Sequence, residues 1–167
     1  VFTNTREEAR RLEERLTLNG WPSRALTGDV EQSQRLRILN DFKTGKLLVL
    51  VATDVASRGL HIEAVSHVIN WDLSQAPEDY VHRIGRTARV GAEGKAISLV
   101  DEATALRLEP IERFIGQKIP VSWAGDDLFL PEVKPTAEKR RVHSATRRGR
   151  AREPRGRQGR HGGGSGR

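Results

Sequence analysis

The 167-residue chain contains no cysteine and no methionine, a single tyrosine and few aromatics of any kind, at 5%. Without cysteine there is no disulfide framework and no thiolate metal site. No apolar run is long enough to span a bilayer, and no segment has the pattern of a signal peptide. These features fit a protein of the cytoplasm with no membrane association. The sequence opens at Val1-Phe2-Thr3-Asn4-Thr5, with no initiator methionine, as though inside a strand, and is expected to be a piece of a longer protein.

What is abundant is charge, and it is unevenly spread. The net charge is +7. Residues Lys134 to Arg167 hold two Lys and ten Arg against two acidic residues, a net +10, which leaves −3 for residues 1–133. The basicity therefore belongs to the tail, which suits nucleic acid or another polyanion. The tail is otherwise Gly, Pro, Ser and His, too poor in large apolar residues to offset its chain entropy, so it is expected to be disordered. The organisation expected is a body over residues 1–123, then a linker and Arg/Gly-rich tail over 124–167.

Within the body, short apolar runs alternate with helical patterns, which predicts an α/β fold with a parallel sheet. Helices are predicted over Arg6–Leu18 (apolar Ala9, Leu12, Leu16), Glu31–Lys43 (apolar arc Leu36, Ile38, Leu39, Phe42), Pro77 to about Arg89, and Ala103–Ile115 with an irregularity at Pro110. Strands are predicted over Leu47–Ala52, buried on both faces, and over Ser66–Trp71 and Lys95–Val100. Trp71 and Trp123 are read as packing residues.

Three constellations carry chemistry. His82, Arg86 and Arg89, placed on one helix, form a polar stripe at i, i+4 and i+7, opposite an apolar stripe of Val81, Ile84 and Ala88. Planar guanidiniums match phosphate oxygens, and the alternative is an ordinary solvated basic face. Thr53 to Gly59 directly follows the most apolar strand, where parallel sheets gather their ligands, although Thr53 or Asp54 could simply cap a helical turn. Gln32 and Arg35 share a face at the start of a helix, after the Gly28-Asp29 turn, and suit either a phosphate or water.

Taken together, these segments resemble the DEAD-box ATP-dependent RNA helicases, in the order and spacing of that family. Val1 to Thr5 looks like motif IV, Gly28-Asp29 with Gln32-x-x-Arg35 like the Gln-x-x-Arg element, Thr53 to Gly59 like motif V, and His82 to Arg89 like motif VI. In detail, Gly59 to Ile62 and Ile115 to Ser122 resemble the bacterial RhlB type. The resemblance implies a C-terminal RecA-like domain that works with an N-terminal ATP-binding domain. It implies that Arg86 and Arg89 are arginine fingers on ATP. By the same resemblance Gly59 and His61 lie at the nucleotide, while His82 and Arg83 couple that site to the domain interface. Thr5, Gln32, Arg35, Thr53 and Arg58 would contact the backbone of single-stranded RNA. His61 stands where most family members have Asp. ATP and Mg²⁺ would be bound mainly by the other domain, since this chain has no Gly-x-x-x-x-Gly-Lys-Ser/Thr loop and no assigned metal ligand. RNA, single-stranded or duplex, would be the partner, together with an RNA-degrading complex containing an endoribonuclease. A DNA-directed helicase and a stand-alone RNA-binding or annealing module without ATPase activity are the rival readings.

Overall fold

The computed structural model describes residues 1–57, 62, 65–88, 93–129, 131 and 133. Arg58, Gly59, His61, Arg89 and the basic tail lie outside the described residues.

A parallel sheet forms the centre. Strand β1 (Ser23–Leu26) pairs in parallel with β2 (Val49–Ala52), and β3 (His67–Asn70) pairs in parallel with β4 (Lys95–Ser98). Phe2 joins the two pairs by bridging Ala52 on one side and Asn70 on the other. Its amide donates to the Ile69 carbonyl at 2.7 Å, and its carbonyl accepts from the Trp71 amide at 2.9 Å. The spatial order is thus β1, β2, Phe2, β3, β4. The opening residues, expected to lie inside a strand, form no full strand; Phe2 alone bridges the two pairs.

The helices follow from the apolar spacing. Helix α1 (Arg6–Leu18) begins at Thr5, whose side chain accepts from the Glu8 amide, and ends at Asn19 before Gly20 at φ 85°. Helix α2 spans Gln32–Lys43. Alternate side chains of β1 and β2 face opposite ways. Ala25 and Val51 pack with Ala9 and Leu12 of α1, whereas Leu26, Leu50 and Ala52 pack with Ile38 of α2. From Phe2 the chain moves two positions outward to β1, then one position back to β2. Two crossovers of one hand running in opposite directions must lie on opposite faces, and they do. Helix α3 (Asp54–Ser57) follows β2, and α4 (Pro77–Ile84) packs on α5 (Leu108–Ile115) through Leu73, Tyr80 and Ile111.

Several expectations are corrected. Strand β1 was not foreseen, because Ser23-Arg24-Ala25-Leu26 lacks a continuous apolar run. The strand predicted from Leu47 starts at Val49; Leu48 is 58% exposed, so that run is not buried throughout. Leu36 is also exposed and lies off the buried face of α2. The helix predicted over Ala103–Ile115 is a 3-10 turn at Ala105–Arg107 followed by α5, so Pro110 sits in the first turn of α5, where its missing N–H is not needed. Trp71 packs as expected, against the cluster around Ala9, but Trp123 is 96% exposed.

Candidate nucleotide and RNA interface

The carboxyl ends of the parallel strands bring the candidate residues to one edge. Thr5 follows the Phe2 segment, Gly28 and Asp29 follow β1, and Thr53 follows β2. Two side chains lace these turns together. Arg10 of α1 pairs with the Asp29 carboxylate, and Arg35 of α2 donates to the Ala56 carbonyl at 2.7 Å. Asp29 also accepts from the Thr27 hydroxyl at 2.6 Å. That hydrogen bond, with Arg10 and Arg6 nearby, holds its carboxyl below the usual range. Thr5 and Gln32 are exposed, and Thr53 is buried. The Thr5 oxygen accepts from the Glu8 amide, which leaves its O–H as a donor toward solvent. Arg35 Nε is buried and has no hydrogen-bond partner among the described residues. A buried guanidinium donor without an acceptor is costly, and an anion arriving at this edge would satisfy it.

The second half of the site departs from the predicted single stripe. Helix α4 ends at Ile84, with Gly85 as its cap. Arg86 therefore lies in the turn beyond the helix and not one helical turn from His82. Ala88 takes φ 53°, a left-handed conformation that costs an alanine about 1 kcal/mol and forbids continuation of the helix. The buried face of α4 is Tyr80 and Arg83; Val81 is exposed, and so is Ala88 beyond the helix. Of the predicted anchor only Ile84 packs, against the cluster of Leu73, Tyr80 and Ile111, and the buried face is completed by Tyr80 and a charged residue, Arg83.

Arg83 is only 1% exposed. Its Nε donates to Asp54 Oδ1 at 2.7 Å and its Nη2 to Asp54 Oδ2 at 2.6 Å, a bidentate pair. Nη2 also donates to Asn4 Oδ1 at 2.8 Å, and Nη1 reaches the Asp72 carbonyl at 2.7 Å and Asn70 Oδ1 at 3.5 Å. The guanidinium lies 5.5 Å from the centre of the Phe2 ring. Its five N–H groups thus meet five acceptors inside the domain. The resemblance places Arg83 at the coupling between nucleotide site and domain interface, and in this structure its donors are taken up within the domain. Arg83 instead ties the Phe2–Asn4 segment, α3 and the end of β3 to α4. The sequence did carry a signal for this, since Arg83 stands three residues after Tyr80 and one before Ile84, on the face that must pack.

His82 is exposed, with its ring 3.9 Å from the Asp79 carboxylate. Arg86 is half-buried and, with Ser57 and His67, is among the few polar residues lining a mainly apolar cavity of about 460 Å³ against Phe2, Leu50, Val68 and Ile69. That lining suits packing more than a triphosphate, so the phosphate-binding argument rests on the strand-end edge. Asn4, Asn70 and Thr87 were not singled out by sequence reasoning, and Asp54 was considered only as a helix cap, yet each holds part of this site in place.

Known proteins share this arrangement. Residues 1–91 match the family described as the helicase conserved C-terminal domain. The ATP-dependent RNA helicase RhlB of Enterobacter sp. (strain 638) is 48% identical over 157 residues, covering 94% of this chain and 37% of that protein. RhlB of Pseudomonas syringae pv. tomato is 52% identical over 136 residues, covering 81% of this chain and 34% of that protein. The chain thus spans about a third of the length of the curated relatives it matches. The crystal structure of the E. coli DEAD-box protein SrmB bound to regulator of ribonuclease activity A superposes with a TM-score of 0.68 at 42% identity, covering 71% of this chain and 69% of that one. The chain belongs to the helicase conserved C-terminal domain family, in its DEAD-box branch, and its sheet and helices form that family's RecA-like fold.

Proposed function

We propose that this chain is the C-terminal half of an ATP-dependent RNA helicase that unwinds or remodels RNA duplexes during RNA turnover in the cytoplasm. The proposed organisation is a RecA-like domain over residues 1–123 followed by a basic extension over 124–167. The carrying observation is the strand-end edge, where Thr5 follows the Phe2 segment, Thr53 follows β2, and Arg35 reaches the Ala56 carbonyl while its buried Nε has no partner among the described residues. Neutral hydroxyl and amide donors beside a guanidinium suit a phosphodiester backbone, read without regard to base. Arg58 would join them. The RhlB relatives, named as RNA helicases, favour RNA over DNA.

The reaction is transfer of the γ-phosphoryl group of ATP to water, which depends on positioning and charge more than on covalent chemistry by the protein. Mg²⁺ bound with ATP supplies further positive charge at the phosphates. In this reading the protein ligands of Mg²⁺ belong to the N-terminal domain. Arg86 and Arg89 act as arginine fingers when the two domains close, with Gly59, His61 and His82 at the interdomain nucleotide site. Closure bends the bound strand into a shape a duplex cannot keep. SrmB was crystallised with a regulator of ribonuclease activity, which supports a partner within an RNA-degrading complex containing an endoribonuclease.

Turnover measurements test this reading. The 167-residue chain with ATP, Mg²⁺ and RNA should hydrolyse nothing above background. The full-length protein should hydrolyse ATP in an RNA-stimulated manner, with DNA a poor substitute. Hydrolysis by the pure chain alone, or equal stimulation by DNA, would contradict it.

A further inference from the structure

The turn that carries Arg86 is fastened at several points, and one of them is a side chain with no role so far. The Arg86 amide donates to the Arg83 carbonyl at 3.1 Å, and its carbonyl accepts from the Val65 amide at 3.0 Å. Thr87 then bridges in parallel to Val65, just before β3. Its side chain is 6% exposed, and its hydroxyl donates to the Val65 carbonyl at 2.5 Å, with the Ser66 carbonyl at 3.3 Å. The Ser66 carbonyl also accepts from the Lys95 amide, which opens β4. A β-carbon at Gly94 would fall 1.9 Å from the Thr87 hydroxyl and 2.6 Å from the Ala88 amide, so only glycine lets this strand pass. Immediately afterwards Ala88 adopts its left-handed φ of 53°. A hydroxyl enclosed on three sides, followed by a strained residue, marks a backbone held where local preference would not leave it.

We infer that Thr87 is a positioning residue for the phosphoryl-transfer step: its hydroxyl bolts the turn bearing Arg86 to the entry of β3, so that the guanidinium meets the phosphate in register when the domains close. The inference rests on the arginine-finger reading above. The sheet end supplies a rigid anchor, while the end of helix α4 alone would leave the turn free to pivot about Gly85. Charge stabilisation of a transition state is sensitive to shifts near 1 Å, which is the scale of motion that loss of this bolt allows.

The test compares Thr87→Val, Thr87→Ser and Arg86→Ala in the full-length helicase, separately and as the Thr87→Val/Arg86→Ala double variant. Assays run well below each variant's melting temperature, with ATP, Mg²⁺ and a single-stranded RNA. Thr87→Val keeps the shape and removes the hydroxyl. It should lower kcat roughly ten- to hundredfold while leaving KM for ATP within about threefold. Thr87→Ser keeps the hydroxyl and should stay within about twofold of the parent, a result that holds the inference open to refutation even where Thr87→Val fails to fold. In the Arg86→Ala background, Thr87→Val should cost almost nothing more, because it acts through the group already removed. If Arg86→Ala abolishes turnover but Thr87→Val leaves kcat unchanged, the bolt is not needed and this inference alone falls. A large kcat loss in Thr87→Ser, or full additivity in the double variant, also overturns it. If Arg86→Ala retains turnover, the arginine-finger reading fails, and a role for Thr87 through Arg86 fails with it.

Discussion

Arg83 and Arg86 stand three residues apart in one eight-residue motif, yet the structure gives them opposite surroundings. Arg83 is buried, and its five donors are taken up by Asp54, Asn4, Asn70 and the Asp72 backbone. Arg86 lies past the end of α4, half-buried, in a turn fixed by its neighbours. The difference comes from where the helix stops. Had α4 run on to Arg89, His82, Arg86 and Arg89 would share a rigid stripe. Gly85, the Thr87 bridge and the φ of Ala88 break the helix first. A motif of apparently equivalent basic residues is therefore divided into an internal clamp and a residue carried on a braced turn, the one proposed above to act on the phosphate.

The largest effect that would sharpen this division is on catalysis. In the full-length protein, Arg86→Ala or Arg89→Ala should lower RNA-stimulated turnover by roughly 10³–10⁵, the worth of an arginine finger in other nucleotide hydrolases. Open-state nucleotide binding should persist, because the finger engages only on closure. Lysine should rescue poorly, since an ammonium lacks the planar fork. Titration with a fluorescent ATP analogue alongside steady-state turnover separates the two quantities.

Next comes stability. Arg83→Met fills similar space but leaves Asp54, Asn4 and the Asp72 carbonyl facing an apolar chain. Removing one partner of a buried pair costs about 3–5 kcal/mol. Equilibrium urea unfolding should show a loss of that size, and a loss below about 1 kcal/mol would mean that water replaces the guanidinium without penalty.

The smallest expected effect lies farthest from both arginines. Deleting Lys134 to Arg167 should leave the melting temperature unchanged and weaken RNA binding. If the tail neutralises on the order of five phosphates, it contributes a slope of about −3 to −4 in log affinity against log salt for single strands. Binding isotherms at several salt concentrations measure the change.

How much of this was legible in the sequence varies with the kind of force involved. Helix α1 was readable to its ends, because Ala9, Leu12 and Leu16 repeat at helical spacing between Thr5 and Asn19-Gly20. The extended character of the Phe2 segment was readable from its residues, but its place between β2 and β3 was not. Strand β1 was not, since four residues with one buried leucine and an exposed arginine offer no periodic signal. The residue types of the site were legible as motifs, but their division of labour was not. Arg83 reads as polar, and only long-range partners as distant as Asn4 and Asp54 make burial affordable. The break after Ile84 escaped notice because it depends on Thr87 finding carbonyls at Val65 and Ser66, a contact between residues 21 or more apart in sequence.

Thermal melting and RNA-stimulated ATP turnover, measured side by side on Arg83→Met and Arg86→Ala full-length protein, test the central division most directly. Arg83→Met should melt many degrees lower than the parent, and Arg86→Ala should melt at the parent's temperature. At a temperature where all three are folded, Arg86→Ala should lose at least a thousandfold in turnover. An Arg86→Ala protein that hydrolyses ATP normally, or an Arg83→Met protein that melts like the parent, would contradict the assignment of chemistry to one arginine and architecture to the other.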